Sequence, residues 1–201
     1  MFKHPVSLAV LIATIKADFY RYDGASSLSQ LLRCYIVEPG ARYTLWLRCC
    51  WWARDRVLLR PIYAVFWVIR RHYEFKFGFS IPVSTSIGAG LYFSHFGGVV
   101  VNGGCQIGRN CNIGHGVTLG QANRGANQGV PTIGERVFIG PGAKIFGGIT
   151  IGSDAAIGAN AVVTKDVPPS GVVVGAPCRL VSLNGSKGYI DWVSEDLADA
   201  E

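Results

Sequence analysis

The chain has 201 residues, of which 49% are hydrophobic, and a formal net charge of +6 at pH 7. This length and hydrophobic content suffice for one domain with a buried core, with or without an appendage. Residues 1–80 hold twelve Lys or Arg against five Asp or Glu, whereas residues 183–201 hold one against five. Nucleic acid is not an expected partner, because no recognised binding fold accompanies the basic residues.

A secreted or membrane-spanning protein is not expected either. Lys3 precedes an apolar run over residues 5–15, but Lys16 and Asp18 follow where a signal peptide has its small-residue cleavage site. No uncharged apolar run approaches the roughly 18 residues that a membrane-spanning helix requires. The six Cys form no CxxC pair and have no metal-ligand spacing with His. We therefore expect reduced thiols in a cytoplasmic protein without a metal site.

Residues 1–78 are predicted to form a helical region. Apolar side chains at spacings of three and four predict a helix over residues 5–22, a second helix covers residues 27–37, and Pro39-Gly40 is a predicted turn. Residues 43–77 are dense in aromatic residues and arginine. They are predicted to form two helices divided near Pro61, because proline is tolerated in a first turn but not within a helix.

The aromatic and basic residues of this segment allow two interpretations. In the first, the arginines form a solvated face and large aromatic residues pack the helices together, namely Trp46, Trp51, Trp52, Phe66 and Trp67. In the second, a basic surface with interfacial tryptophans makes peripheral contact with an anionic membrane.

An aliphatic or aromatic residue, often followed by Gly, recurs every six positions between residues 81 and 163. A helix would repeat near 3.6 residues and a half-buried strand near 2, so neither explains this period. Hexapeptide repeats are typical of a parallel β-helix, in which about three hexads form one triangular coil and successive coils stack at roughly 4.8 Å. The repeat positions are Ile81, Ile87, Phe93, Val101, Ile107, Ile113, Leu119, Ile133, Ile139, Ile145, Ile151, Ile157 and Val163.

These patterns predict a mainly β fold with three parts. A helical N-terminal region covers residues 1–78, a β-helix covers residues 79–182, and an acidic tail covers residues 183–201. After residue 167 the repeat ends, and a last strand through Val181 is expected to fold back over the final coil. The tail is expected to be a helix of modest stability or disordered, and we assign it no chemistry.

Two of the four histidines occupy equivalent places in the repeat. His95 follows Phe93 by two residues, and His115 follows Ile113 by two. The histidines are twenty residues apart, which is one coil of eighteen residues plus a two-residue slip, so we expect them on one edge of the coil, one above the other. A neutral imidazole accepts a proton near pH 7, which suits a general base that removes a proton from a hydroxyl.

Several sequence runs resemble acyltransferases with left-handed β-helices, above all serine acetyltransferase and its polysaccharide O-acetyltransferase relatives. The resemblance spans nearly all of residues 78–182. It implies a left-handed coil, acetyl-CoA as the acetyl donor, and a homotrimer with active sites between subunits. The runs are IGHGVTLG (113–120), VPTIG (130–134), IGPGAKIFGGITIGSDAAIGANAVVTKDVPP (139–169) and VVGAPCRLV (173–181).

The resemblance also implies roles for single residues. His95, in the run SHFGG, aligns with the family's catalytic histidine and is the predicted base; the alternative is a turn histidine of structural role. His115 is a second catalytic candidate, which either positions substrate or only bonds the neighbouring coil. The residues implied along the coenzyme A groove are Gly120, Gln121, Gly140, Ala159, Lys165 and Arg179.

The acceptor site is where the sequence departs from serine acetyltransferase. Ser94 and Ser80 stand where that family has Asp, and Gly129 and Val130 stand where it has an Arg-His pair for the amino acid. The Asp aligned with Ser80 orients the catalytic histidine, so the partner of His95 is left open between a backbone carbonyl and a Ser. We place Ser80, Ser94 and Val130 in the substrate site. Their lack of charge favours a sugar hydroxyl of an oligosaccharide in exopolysaccharide or capsule biosynthesis.

Two other functions stay open. One is serine O-acetylation in cysteine biosynthesis with a rearranged pocket, and the other is a non-catalytic trimeric scaffold whose basic helices bind membrane. The insertion between Leu119 and Ile133 has no apolar core residue before Val130. It is expected to form a loop, which either covers the active site of a neighbouring subunit, as in relatives, or is a plain surface excursion.

Overall fold

The computed structural model describes residues 7–193 of the chain. The helical region contains α1 (Leu8–Tyr20), α2 (Leu28–Val37), α3 (Pro39–Ala53), a 3-10 turn (Val57–Leu59) and α4 (Arg60–Phe77). The first two residues of the predicted 5–22 helix and the tail residues 194–201 lie outside the described residues. Within the part of the chain that is described, none of the helices combines the length and the hydropathy needed to span a bilayer.

Capping residues and prolines set the helix boundaries. The Ser27 side chain accepts from the Gln30 N–H while the Gln30 side chain accepts from the Ser27 N–H, a capping box that starts α2. The expected turn at Pro39 is instead the first turn of α3, where the missing N–H of proline costs no helical hydrogen bond. Pro61 also lies in a first turn, as predicted, and α4 is capped at its C-terminus by Gly78, whose φ of 67° is left-handed.

Residues 79–182 form fifteen short strands in three sheets. Sheet A has the order β1-β4-β7-β10-β13, sheet B has β2-β5-β8-β11, and sheet C has β3-β6-β9-β12-β14-β15. The chain visits the sheets in turn, so it winds as a three-sided coil. The strands are β1 Phe79–Ser80, β2 Ser86–Ile87, β3 Tyr92–Phe93, β4 Val99–Val101, β5 Gln106–Ile107, β6 Asn112–Ile113, β7 Thr118–Gly120, β8 Thr132–Ile133, β9 Phe138–Ile139, β10 Lys144–Phe146, β11 Thr150–Ile151, β12 Ala156–Ile157, β13 Val162–Val163, β14 Val172–Val174 and β15 Arg179–Ser182.

The strand register agrees with the counted repeat. Lys144 pairs with Val162, eighteen residues later, across a regular coil. Phe79 pairs with Val99, twenty residues later, at the two-residue slip, and Thr118 pairs with Lys144, twenty-six residues later, across the insertion. These pairs are parallel, and only β15 runs antiparallel, against β14, as the expected fold-back of the last strand.

The interior of the coil carries two ladders of side chains. All predicted repeat positions are buried except Ile87, which is half-buried. A second ladder lies two residues before each repeat position, and the sequence interpretation missed it because its residue type varies from Thr to Ile. Its members are Phe79, Thr85, Leu91, Val99, Cys105, Cys111, Val117, Pro131, Val137, Ala143, Ile149, Ala155 and Ala161, all of them buried.

Buried charges join the helices to the coil, at what we call the helix–coil junction. Asp18 of α1 and Arg48 of α3 form an ion pair of 2.8 Å, with side chains 1% and 4% exposed. Arg48 also donates to the carbonyls of Ile87 and Gly88, at 2.7 Å each. Asp18 Oδ1 accepts two backbone N–H groups of the same turn of the coil, both at 2.9 Å. The pair therefore joins α1 to α3, and its other hydrogen bonds tie both helices to the first coil.

The interpretation of the basic aromatic segment as packed helices with solvated arginines holds only in part. Trp46 packs on Phe66, with ring centroids 5.7 Å apart, but Trp67 is 43% exposed. Arg48 and Arg70 are buried and hydrogen-bonded, because they satisfy carbonyls at the start of the coil.

Residues 183–193, called the C-terminal strap below, contain no helix and lie against sheet C. Ser186 Oγ donates to the Arg136 carbonyl at 2.7 Å, and the Tyr189 ring stacks on Phe138 at 4.5 Å. Arg21 Nε donates to the Asp191 carbonyl at 2.9 Å. This part of the tail is therefore ordered by contacts with the coil and with α1, unlike either state expected from its sequence.

Candidate active site

One edge of the coil, between sheet C and sheet A, carries both candidate catalytic histidines, and we call it the histidine edge. Phe93 of β3 pairs with Ile113 of β6, so the turns that follow these strands are stacked. His95 and His115 are exposed, and their ring centroids are 5.8 Å apart with an interplanar angle of 66°. The two imidazoles thus lie one coil apart on one edge, as the residue count requires.

Glycine allows the turns of the histidine edge to stack closely. Gly98 and Gly116 have φ values of 66° and 69°, which L side chains rarely adopt. A Cβ on Gly98 would lie 3.4 Å from the Gly116 Cα, and one on Gly116 would lie 3.5 Å from the Gly142 Cα. This backbone column fixes the spacing of the two histidine side chains along the coil axis.

Ser80 and Ser94 lie beside the histidine edge without bonding His95. Ser94 precedes His95 directly, while Ser80 is exposed two residues after Gly78, which approaches the turn of Gly98. Among residues 7–193 neither imidazole has a hydrogen-bond partner. Neither the Ser nor the backbone carbonyl considered from the sequence therefore orients His95 within the single chain.

Lys144 is a charged residue of this edge that sequence reasoning missed. It opens β10, and its half-buried Nζ donates to the Gly116 carbonyl at 2.5 Å and to Thr118 Oγ1 at 3.1 Å. Gly116 directly follows His115, so the ammonium lies next to the second histidine turn. An ammonium carries three N–H donors, so one is left for an anionic ligand within the described part of the chain. The signal that could have found it was the register across the insertion, which places Lys144 beside Thr118.

Two of the residues implied in the coenzyme A groove lie on the histidine edge. Gly140 and Ala159 are in the stacked turns that follow β9 and β12, and a Cβ on Gly140 would lie 2.8 Å from the Ala159 nitrogen. Gly140 is buried and Ala159 exposed. Both turns therefore carry small side chains at these two positions, which leave room for a thin, extended ligand arm.

The other implied groove residues lie elsewhere. Gly120, Gln121 and Lys165 are on the next edge, after sheet A, and Arg179 is exposed on β15. Residues 117–120 separate the two edges, which at about 3.3 Å per residue is roughly 13 Å. A Cβ on Gly120 would lie 2.1 Å from the Phe146 ring, so this glycine makes room for an aromatic side chain. One chain does not bring these residues to His95.

The insertion forms a hairpin on its own chain. Ala122 and Gly129 exchange two backbone hydrogen bonds of 2.9 and 3.0 Å, and Asn127 Nδ2 donates to the Thr164 carbonyl at 2.9 Å. Val130, assigned to the substrate site from the sequence, is half-buried and packs against the core of the coil. Its contacts are therefore structural and lie on the edge that does not carry His95.

The buried thiols are unsuited to nucleophilic catalysis. All six Cys are free, as expected for a reduced protein. Burial raises the pKa of Cys105 to about 11 and that of Cys34 and Cys111 to about 12, so these thiols are protonated near neutral pH. Within residues 7–193 there is no cluster of three or more potential metal ligands. The exposed imidazoles are the groups available for proton transfer at this edge.

Comparison with known proteins gives a consistent set of relatives. Residues 131–165 match the family described as bacterial transferase hexapeptide (six repeats). A serine acetyltransferase of Mycobacterium tuberculosis is 37% identical over 198 residues, which are 96% of this chain and 82% of the relative. The Neisseria gonorrhoeae serine acetyltransferase solved in complex with serine is 33% identical with a TM-score of 0.65, over 86% of this chain and 68% of that one. The Brucella abortus serine acetyltransferase in complex with coenzyme A is 29% identical with a TM-score of 0.67, over 86% and 66%.

These relatives overturn the predicted acceptor. A sugar hydroxyl was expected because Ser80, Ser94 and Val130 are uncharged, but the matching proteins are serine acetyltransferases, which agrees with the alternative instead. The oligosaccharide acceptor and the role in exopolysaccharide or capsule biosynthesis are therefore wrong. The physical reason for the error is that uncharged residues at the aligned positions do not make the whole site uncharged. Lys144, at a position that was not compared, supplies an ammonium at the same edge.

Proposed function

Because the chain belongs to the serine acetyltransferase family, with its left-handed β-helix, and is an acyltransferase that uses acetyl-CoA, we propose that it acetylates the hydroxyl of L-serine, with His95 as general base. The observation that supports the assignment of the base is the pair of exposed imidazoles 5.8 Å apart on the histidine edge. We propose a cytoplasmic enzyme, which agrees with its free thiols.

In the proposed reaction, His95 takes the proton of the serine hydroxyl as the oxygen attacks the thioester carbonyl carbon. The carbon–sulfur bond of the tetrahedral intermediate then breaks, and the leaving coenzyme A thiolate takes up the proton held by His95, which restores the neutral imidazole. His115 is assigned to donate a hydrogen bond to the carbonyl oxygen while it carries negative charge. The buried thiols take no part, so both substrates bind together and no acyl-enzyme forms.

Lys144 is the proposed partner of the serine carboxylate. Its Nζ lies 2.5 Å from the carbonyl of Gly116, the residue after His115, and has one donor left for an anion. The hydroxyls of Ser80 and Ser94, beside the same edge, are proposed acceptors for the serine ammonium group. This assignment gives the amino acid a countercharge that the aligned positions lack.

We propose that a homotrimer completes the site. Gln121 and Lys165 lie on the edge after sheet A, which is roughly 13 Å from the histidine edge of the same chain, at about 3.3 Å for each of the four intervening residues. A threefold arrangement sets this edge of one copy against the histidine edge of the next. Gly140 and Ala159 of one copy then line the pantetheine arm, while Lys165 and Arg179 are assigned to the phosphates of coenzyme A.

Release of coenzyme A thiol from acetyl-CoA tests the reaction and its base. Release that depends on L-serine is expected for the wild type, and His95→Ala should lower kcat/KM by about 10²- to 10⁴-fold. Lys144→Met should raise the KM for serine more than that for acetyl-CoA, and Lys187→Met, an exposed lysine of the C-terminal strap, is the matched control that should change neither. An unchanged rate in His95→Ala overturns the base, and thiol release that is indifferent to serine overturns the acceptor.

A mixing experiment tests the shared site. Light scattering should give about 65 kDa, three times the 21.7 kDa of one chain. His95→Ala and Lys165→Glu subunits, each inactive alone, should recover about a quarter of wild-type activity when refolded together in equal amounts, because one interface in about four then joins an intact His95 to an intact Lys165. No recovery from fully mixed trimers contradicts a site between subunits.

A further inference from the structure

The surface formed by residues 57–76, called the basic apolar face below, exposes large apolar side chains. Val57 and Leu58 of the 3-10 turn are 70% and 93% exposed, and Val65, Val68 and Phe75 of α4 are 58%, 59% and 72% exposed. Scattered exposed apolar residues are ordinary, but a contiguous set on one element marks an interaction surface.

Helical spacing places these α4 side chains together. Val65, Val68 and Phe75 are three and seven residues apart, so they lie on one side of the helix. Arg70 and Phe77, on the other side, are buried against the coil. The helix therefore has a second apolar stripe, which the core of the chain does not cover.

Cations border this stripe on both sides. Arg60 and Arg71 are eleven residues, or about three turns, apart and so share one border. The Arg71 guanidinium lies 4.2 Å from the centre of the Phe75 ring. Lys76 follows one residue after Phe75 on the other border, and all three cations are exposed.

The carboxylates of this segment offset part of its positive charge, because Glu74 pairs with Arg71, but among the described residues Arg60 and Lys76 form no ion pair. Residues 54–76, all of them described, contain two acids. Asp55 pairs with Arg54 at 2.9 Å, and Glu74 is buried between Arg71 at 2.9 Å and Arg70 at 3.4 Å. The face thus presents apolar side chains and positive charge, and its acids are already paired.

We propose that the basic apolar face docks on an anionic membrane surface. Two copies placed face to face would bring like charges together, and a nucleic acid would leave Leu58, Val65 and Val68 in water. An anionic bilayer accommodates both features, because apolar side chains enter the headgroup boundary while the cations meet lipid charge. Trp67, 43% exposed on the same helix, has the side chain that interfaces favour.

Vesicle sedimentation of the full chain tests this proposal. Binding is expected to phosphatidylcholine vesicles that contain about 30% phosphatidylserine, to weaken as salt rises, and to be absent with phosphatidylcholine alone. Leu58→Gln/Val65→Gln/Val68→Gln should lower partitioning at least about tenfold. Arg60→Gln/Lys76→Gln should lower it about fivefold for each cation removed.

The matched control is Leu28→Gln/Leu32→Gln on α2, which replaces leucines that are 84% and 59% exposed but lie outside the face. It should retain binding, and every variant should keep the thiol-release activity measured without vesicles. Failure of the wild type to sediment with anionic vesicles at low salt, or an equal loss in the control, overturns the proposal. A lower molar mass of the triple variant also overturns it, because the face would then join copies of this chain.

Discussion

The coil and the helix–coil junction are held by different forces. The ladders inside the coil consist of apolar side chains such as Ile139 and Ile151, both fully buried, whereas the junction buries Asp18 and Arg48. Apolar burial has no required direction and is repeated from one coil to the next. A buried ion pair instead depends on each of its partners, because a charge left alone out of water is costly. The coil should tolerate apolar exchange, and the junction should not tolerate the loss of one partner.

Arg21 extends this difference to the C-terminal strap. Its three nitrogens donate to the carbonyls of Asp191 and Gly90 and to Asn112 Oδ1, at 2.9, 3.1 and 2.6 Å. Burial lowers the pKa of this guanidinium, although an arginine stays charged at any ordinary pH. One side chain directly after α1 therefore joins the helical region, the coil and the strap.

Removing one partner of the buried pair is the strongest test of the comparison. Arg48→Ala is expected to lower the free energy of unfolding by about 3–5 kcal/mol, because the Asp18 carboxylate is left without its cation. Urea denaturation followed by circular dichroism measures the change. The control is Arg54→Ala, whose pair with Asp55 is 33% and 69% exposed and should be worth less than about 1 kcal/mol. Equal losses of unfolding free energy in the two variants would show that the buried pair contributes no more to stability than the exposed pair.

The same contrast explains what the sequence predicts about the fold. The coil is predictable because each hexad repeats its buried residue type, so the positions from Ile81 to Val163 reveal both the period and its interruptions. The junction is not, because Arg48 in a helix resembles any solvated arginine. Its partner Asp18 is 30 residues away, and the backbone groups that Asp18 binds are more than 70 residues away.

The candidate site divides in the same way. Counting hexads was enough to place His95 and His115 on one edge. Lys144 was missed because a single lysine shows no sequence pattern that separates it from a solvated one. The insertion also interrupts the hexad count, so the pairing of Lys144 with Thr118 is not evident from the sequence. The acceptor was predicted wrongly because a lack of charge at Ser80 and Ser94 says nothing about a cation from another coil.

A ladder residue gives the second-largest expected effect. Ile139→Ala should cost about 3 kcal/mol, because it leaves a cavity in a site with no exposed surface. Ile87→Ala, at the half-buried position of the same ladder, is the control and should cost clearly less. Ile139→Val should cost only about 1 kcal/mol, because a smaller apolar group keeps most of the contact. A loss for Ile139→Val as large as that for Arg48→Ala would erase the distinction between the two regions.

Alkaline pH should affect the coil through its buried thiols. Burial raises the pKa of Cys105 from about 9 to about 11 in the folded state. The contribution of the protonated thiol to the free energy of unfolding is therefore fully present below pH 9 and is lost as the pH rises towards 11. At pH 10, one unit above the unfolded value, the loss is about 1.4 kcal/mol.

Unfolding free energies at pH 7 and pH 10 measure this effect in the wild type and in Cys105→Ala. The wild type should lose about 1.4 kcal/mol more than the variant over this interval. An identical loss in both proteins would mean that deprotonation of the Cys105 thiol does not lower the stability of the folded coil.

The smallest expected effect concerns the C-terminal strap, which lies on the coil and reaches the junction. Ser186→Ala removes the partly buried 2.7 Å hydrogen bond to the Arg136 carbonyl and should cost about 1 kcal/mol. Ser84→Ala, at an exposed serine of the first coil, is the control and should cost less than about 0.5 kcal/mol. Hydrogen exchange then decides how the strap unfolds. Faster exchange of the Tyr189 amide together with lower global stability means that strap and coil unfold as one unit. Faster exchange alone means that the strap opens separately and that Arg21 holds the junction without it.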